Sequence, residues 1–199
     1  KEIGWYSAAY GIVSATIIPG ALISRSFAPV LSKFFKESKE RLQKAWDKQM
    51  ETMILLAVPL VVGGIVLSQR IIDSFYPLSF SPSILAFQIL IIMAGLIFLY
   101  RPFMDILIAS NHQKKIFWIS LFGALANVVL NLMLIPKYSL YGAAFAAVIT
   151  YAVIFSLSFI CAVKLGLISF SWSASFLTFI VAFIASFLMY LLIREPTIY

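Results

Sequence analysis

Long apolar stretches on either side of one hydrophilic segment constrain this chain more than any other feature. That segment, Lys33 to Lys48, reads KFFKESKERLQKAWDK and carries Lys33, Lys36, Lys39, Arg41, Lys44 and Lys48 against Glu37, Glu40 and Asp47. Of the 199 residues, 62% are hydrophobic and only 12% charged, against about 25% charged in ordinary soluble domains. No soluble core absorbs that much apolar surface, so the composition predicts a chain that lives in lipid. The net charge of +7 then marks a side of the membrane rather than a nucleic-acid partner, because short loops rich in Lys and Arg stay on the cytoplasmic side.

A hydrocarbon core takes about 20 apolar residues as a helix. The sequence supplies six such runs, at about 3–31, 53–72, 84–109, 116–135, 140–163 and 176–193. Pro19-Gly20 and Pro29 are expected to break the first, and Pro59 with Gly63-Gly64 falls in the second. Lys137-Tyr138-Ser139 is the predicted turn between runs four and five, and Tyr76 to Pro82 the longest outer loop. The fold class is therefore all-α, a polytopic transmembrane helical bundle forming a single unit over residues 1–199. With the Lys33–Lys48 loop in the cytoplasm, nine basic residues fall on the inner side and four on the outer. Both ends of the chain then lie outside.

Within the hydrophilic segment, Phe35, Leu42, Trp46 and Met50 share one helical face. Two readings stay open: a helix lying at the headgroup boundary with these side chains down and its lysines near anionic lipid, or a solvated extension of the second span. The start at Lys1 without a methionine or a signal-peptide layout is that expected of a piece of a longer protein. Cys161 stands alone, which excludes an intrachain disulfide, and His112, in a polar turn, has no Cys or carboxylate cluster around it. No metal, cofactor or catalytic residue is expected. Neither a phosphate-binding loop nor a nucleophile elbow occurs.

Charges inside the apolar runs are the sharper signals, since each costs about 2.5–3.5 kcal/mol near a helix centre and usually faces protein or a water-filled cavity. They are Arg25 in the first run and Arg101 with Asp105 in the third. Arg101 lies roughly 15 Å from the inner end of its span at the helical rise, and Asp105, four residues on, is placed to pair with it across Pro102. The arrangement fits a cavity-lining charge on a bent helix and equally a self-neutralised intrahelical pair; for Arg25, snorkelling to the inner surface is the simpler account. Asn127 and Asn131 form an i, i+4 polar pair, suited to substrate contact or to bonding a neighbouring helix. Gly142, Ala143, Ala144, Ala146 and Ala147 make a small-residue face for close helix contact.

Gly4-Trp5-Tyr6-Ser7-Ala8-Ala9-Tyr10, the run from Pro29 to Lys33, and above all Asn127-x-x-x-Asn131-Leu-x-Leu-Ile-Pro136 followed by Leu140-Tyr141-Gly142-Ala143-Ala144 resemble the C-terminal part of Wzx-type polysaccharide (O-antigen) flippases. These belong to the MOP exporter superfamily, with lipid II flippases and MATE exporters. The resemblance reaches to about Lys164. It implies one lobe of a two-lobed MATE-like transporter whose N-terminal lobe is supplied elsewhere in the protein. It also implies alternating-access translocation of an undecaprenyl-pyrophosphate-linked oligosaccharide across the bacterial cytoplasmic membrane, and a polysaccharide polymerase and chain-length regulator as partners beside membrane lipids. Arg101, Asp105, Arg25, Asn127 and Asn131 are the candidate cavity residues, chosen on intramembrane polarity alone. The alternatives are a MATE-like cation-coupled multidrug exporter and a non-transporting structural membrane subunit.

Overall fold

The computed structural model describes residues 1–169 and 180–184. Four long helices make up most of it: α1 (Glu2–Glu37), α2 (Lys39–Phe75), α3 (Pro82–Ala109) and α4 (Gln113–Lys164). A single 3-10 turn, Leu78–Phe80, links α2 to α3. All four are long and apolar enough to cross a membrane. The sixth predicted run, 176–193, lies almost wholly outside the described residues.

α4 is two spans rather than one. Ser139 interrupts it with φ 50° and ψ −125°, a left-handed value that a residue with a Cβ adopts only at a cost. Contacts across the break pair Gly123 with Ile154, Asn127 with Thr150 and Leu134 with Gly142. Each pair sums to nearly the same number, the signature of an antiparallel hairpin folded about Ser139. Gly142 makes the turn possible: a Cβ there would stand 2.3 Å from the Leu134 carbonyl oxygen. Ser139 Oγ in turn hydrogen-bonds the Glu2 carboxylate, tying the hairpin tip to the start of α1. The fourth and fifth predicted runs are thus the two arms of α4, with the turn at its expected place, although the first arm passes through Pro136 before it ends.

α3 is the central helix, with 61% of its most apolar stretch buried against 22–33% in the other three. It runs parallel to α1: Ser83 Oγ donates to Trp5 O at one end, and Phe98 lies over Gly20 near the middle. It runs antiparallel to α2, where two glycines allow close approach. A Cβ on Gly64 would lie 2.6 Å from Ile91, and one on Gly95 2.6 Å from Val61. The α1 start, the 3-10 turn and the Ser139 bend therefore gather at one end of the bundle. The other end holds the α1–α2 junction, the turn Ser110–His112 and Lys164.

Three expectations are corrected. Pro19, Pro29, Pro59 and Pro102 do not break their helices, each of which continues through its proline. The Lys33–Lys48 segment is not a loop; α1 ends at Glu37 and α2 begins at Lys39, with Ser38 alone extended between them, accepting from the Arg41 amide at 3.4 Å as the cap of α2. Nor do Leu42, Trp46 and Met50 turn down into lipid, one of the two readings left open for this face, although Phe35 stays 37% exposed. The three are buried in the bundle with Leu31, Phe103 and Ile106. The Trp46 ring sits 5.3 Å from that of Phe103, and its Nε1 donates to Pro102 O at 3.0 Å. Residues 39–48 are the polar extension of the second span, and residues 33–37 are the end of the first. The outer face of the segment carries the exposed pairs Lys33–Glu37, Arg41–Glu37, Lys44–Glu40 and Lys48–Glu51, each of little energetic weight in water.

Candidate functional site

A cavity of about 370 Å³ opens between α1, α3 and the two arms of α4, at the lower end of the range for small-molecule sites. Arg101 of α3 lines it beside Asn127 of the first arm. Four tyrosines complete its polar surface: Tyr6 and Tyr10 from α1, Tyr100 from α3 and Tyr151 from the second arm. A second cavity of about 370 Å³ adjoins it, sharing Tyr100, Asn127 and Tyr151 and adding Ser120 and Thr150.

Arg101 and Asp105 do not form the expected ion pair. All ion pairs among the described residues lie along the hydrophilic end of α1 and α2. Asp105 is buried, and its Oδ2 accepts from Ser24 Oγ of α1 at 2.5 Å and from Gln49 Nε2 of α2 at 2.6 Å. It joins three helices and is absent from the cavity lining. The reason is geometric: four residues make slightly more than one turn, and the short aspartate meets donors on the α1–α2 side before it meets the longer arginine. Arg101 is left with its Nε buried and without a hydrogen-bond partner among the described residues. An unpaired buried donor of this kind carries a free-energy cost.

The other candidates separate as well. Arg25 is exposed and does not line the cavity. Its neighbour Ser24 faces inward to Asp105, and one residue turns the helix by about 100°. Asn127 lies on the cavity wall and is held there: its Nδ2 donates to Thr150 Oγ1 at 3.1 Å, and its Oδ1 accepts from Asn131 Nδ2 at 2.9 Å. Asn131 therefore acts behind Asn127 rather than in the cavity. His112 is the residue before α4, its Nδ1 2.8 Å from Ser110 Oγ.

Sequence reasoning missed Ser24, Gln49 and the tyrosines. Gln49 had a signal, since it lies seven residues after Leu42 on the stripe that Trp46 and Met50 share, a polar side chain on a face otherwise apolar. Tyr6 and Tyr10 had one in their i, i+4 spacing, which places both rings on one side of α1. Nothing in the sequence brings Tyr151 to Tyr100; that meeting depends on the hairpin.

No family model matches the chain. It is 24% identical over 157 residues to a protein described as a probable low-salt glycan biosynthesis flippase, Agl15, of Haloferax volcanii; the match takes in 77% of this chain and 33% of that protein. Its fold matches a solved structure of the lipid II flippase MurJ in an inward closed conformation, with TM-score 0.77 and 18% identity over 96% of this chain and 41% of that one. The chain thus spans about a third of the curated relative it matches. The MurJ match carries the fold alone; the four long apolar helices are themselves those expected of a multi-pass membrane protein. The chain is thus similar in sequence to a part of a protein described as a probable glycan biosynthesis flippase, and similar in fold to a part of a lipid II flippase.

Proposed function

We propose that the protein containing this chain translocates a lipid-linked oligosaccharide, carried on a polyprenyl diphosphate, across the membrane by alternating access. The observation that carries the reading is Arg101, a guanidinium on the wall of an intramembrane cavity with a buried Nε that no described residue satisfies. A planar fork of N–H donors suits phosphate oxygens, and a charge placed inside an apolar bundle needs a partner there. The distant relationship to a glycan biosynthesis flippase supports the same reading. A surface polysaccharide repeat unit such as O-antigen is the cargo this implies, with its polymerase and chain-length regulator as neighbours in the membrane.

An exporter of amphiphilic cations would want a carboxylate on the cavity wall. Asp105, the carboxylate nearest in sequence to Arg101, is held by Ser24 and Gln49 and does not line the cavity. A cationic wall disfavours cationic cargo.

The test uses the full-length protein in a cell that lacks its own oligosaccharide flippase and displays no surface glycan. Wild type restores the glycan and Arg101→Gln does not, at equal membrane levels. Arg101→Lys, which keeps charge but loses the fork, restores it in part. Equal restoration by wild type and Arg101→Gln removes Arg101 from the mechanism.

A further inference from the structure

The wall around Arg101 holds more aromatic and hydroxyl surface than a diphosphate requires. Tyr6 and Tyr10 stack on one another, with ring centres 5.9 Å apart and planes 13° from parallel. Tyr100 and Tyr151 pair at 5.8 Å and 36°, joining α3 to the second arm of α4. Of the partly buried tyrosines in the bundle, Tyr141 donates its hydroxyl to Pro82 O. The hydroxyls of the four cavity tyrosines make no hydrogen bond to any described residue. Asn127 stands among them with its carboxamide fixed by Thr150 and Asn131, leaving one N–H and one lone pair to offer.

We infer that the two tyrosine pairs and Asn127 form a subsite for a pyranose ring, the sugar attached directly to the diphosphate that Arg101 receives. This rests on the flippase reading and specifies where the glycan is held. A pyranose presents C–H groups on its faces and hydroxyls around its rim. Aromatic faces carry negative charge density that attracts the C–H groups, and phenols and a carboxamide donate and accept around the rim. A polyprenyl tail has no use for these polar groups. A second phosphate would call for another cation, and Arg101 is the one basic residue in the lining among the described residues. Stacking reads the ring rather than its substituents, so the subsite accepts the first sugar of many different glycans.

The test compares two synthetic probes on the purified full-length protein in lipid nanodiscs: a polyprenyl diphosphate, and the same carrier bearing one N-acetylglucosamine. Wild type binds the glycosylated probe roughly tenfold more tightly, the factor expected for stacking plus a few rim hydrogen bonds. Tyr100→Leu and Tyr151→Leu bring the two probes to within about twofold of each other, the loss falling chiefly on the glycosylated probe. Tyr151→Phe, which keeps the ring and the fold, retains an intermediate preference. Equal binding of both probes by wild type overturns the sugar subsite and leaves the flippase reading standing. So does an equal loss for both probes in the leucine variants. Binding of neither probe overturns both.

Discussion

Gln49 Nε2 on α2 lies 2.6 Å from Asp105 Oδ2 on α3, and Ser24 Oγ on α1 reaches the same oxygen at 2.5 Å. One carboxylate therefore fastens three helices without itself lining the cavity. The same bond leaves Gln49 Oε1 buried and without a partner among the described residues, so the junction is polar, buried and not fully satisfied by them.

Asp105→Ala is expected to destabilise the bundle strongly. It strands the Ser24 hydroxyl and the Gln49 amide together, at about 1–3 kcal/mol for each buried group left unpaired. Asp105→Asn, which preserves an acceptor oxygen and the volume, costs less. Unfolding of the purified protein in detergent, followed by tryptophan fluorescence or thermal precipitation, ranks the two. Equal stability of Asp105→Ala and wild type contradicts the role given to this junction.

Gly142→Ala is expected to prevent the α4 hairpin from closing. The added Cβ would meet the Leu134 carbonyl carbon at 2.5 Å and its oxygen at 2.3 Å, backbone atoms that cannot swing aside. The cost is at least the 1–3 kcal/mol typical of overpacking. Gly63→Ala is the control, because no atom lies within 4 Å of the Cβ position there. Folded membrane protein recovered on size exclusion should fall for the first variant and not for the second.

Asn127 and Thr150 hold the two arms of that hairpin together at 3.1 Å. A double-mutant cycle of Asn127→Ala and Thr150→Ala should return a coupling of about 0.6 kcal/mol, the average for polar contacts between membrane helices. A coupling of zero means that the bond is not formed in the membrane.

Much of the fold was legible because lipid imposes a length rule. Runs two to five end within a few residues of the observed spans or are prolonged by polar helix, and the small-residue face from Gly142 to Ala147 marked the tightest contact. Proline was the misleading signal. Pro19 and Pro29 read as breaks, yet helices in a bundle continue through proline when neighbours satisfy the freed carbonyls. The break that does occur, at Ser139, carries no glycine and is held by Gly142 three residues later. For the site, Arg101 and Asn127 were readable because polarity inside an apolar run is costly. The Arg101–Asp105 pair was misread because a spacing of four shows which side chains can meet, not which donors a neighbouring helix brings first.

The hydrophilic end of the bundle fixes orientation, and this is open to direct labelling. Lys33, Lys36, Lys39, Arg41, Lys44, Lys48, Lys114, Lys115 and Lys164 gather at the end where α1 meets α2 and α3 meets α4, whereas the 3-10 turn lies at the opposite end. The basic end is expected to stay in the cytoplasm. With Cys161 and any cysteine elsewhere in the full-length protein replaced by serine, Lys36→Cys and Ser79→Cys each place a single thiol on an exposed position, one at either end. A membrane-impermeant maleimide added to intact cells should label Ser79→Cys at once and Lys36→Cys only after permeabilisation. Ser79 makes its bond to Trp5 Nε1 through its backbone carbonyl, so the substitution leaves that contact in place. The reverse labelling pattern would invert the bundle, and with it the direction in which the Arg101 cavity meets its cargo.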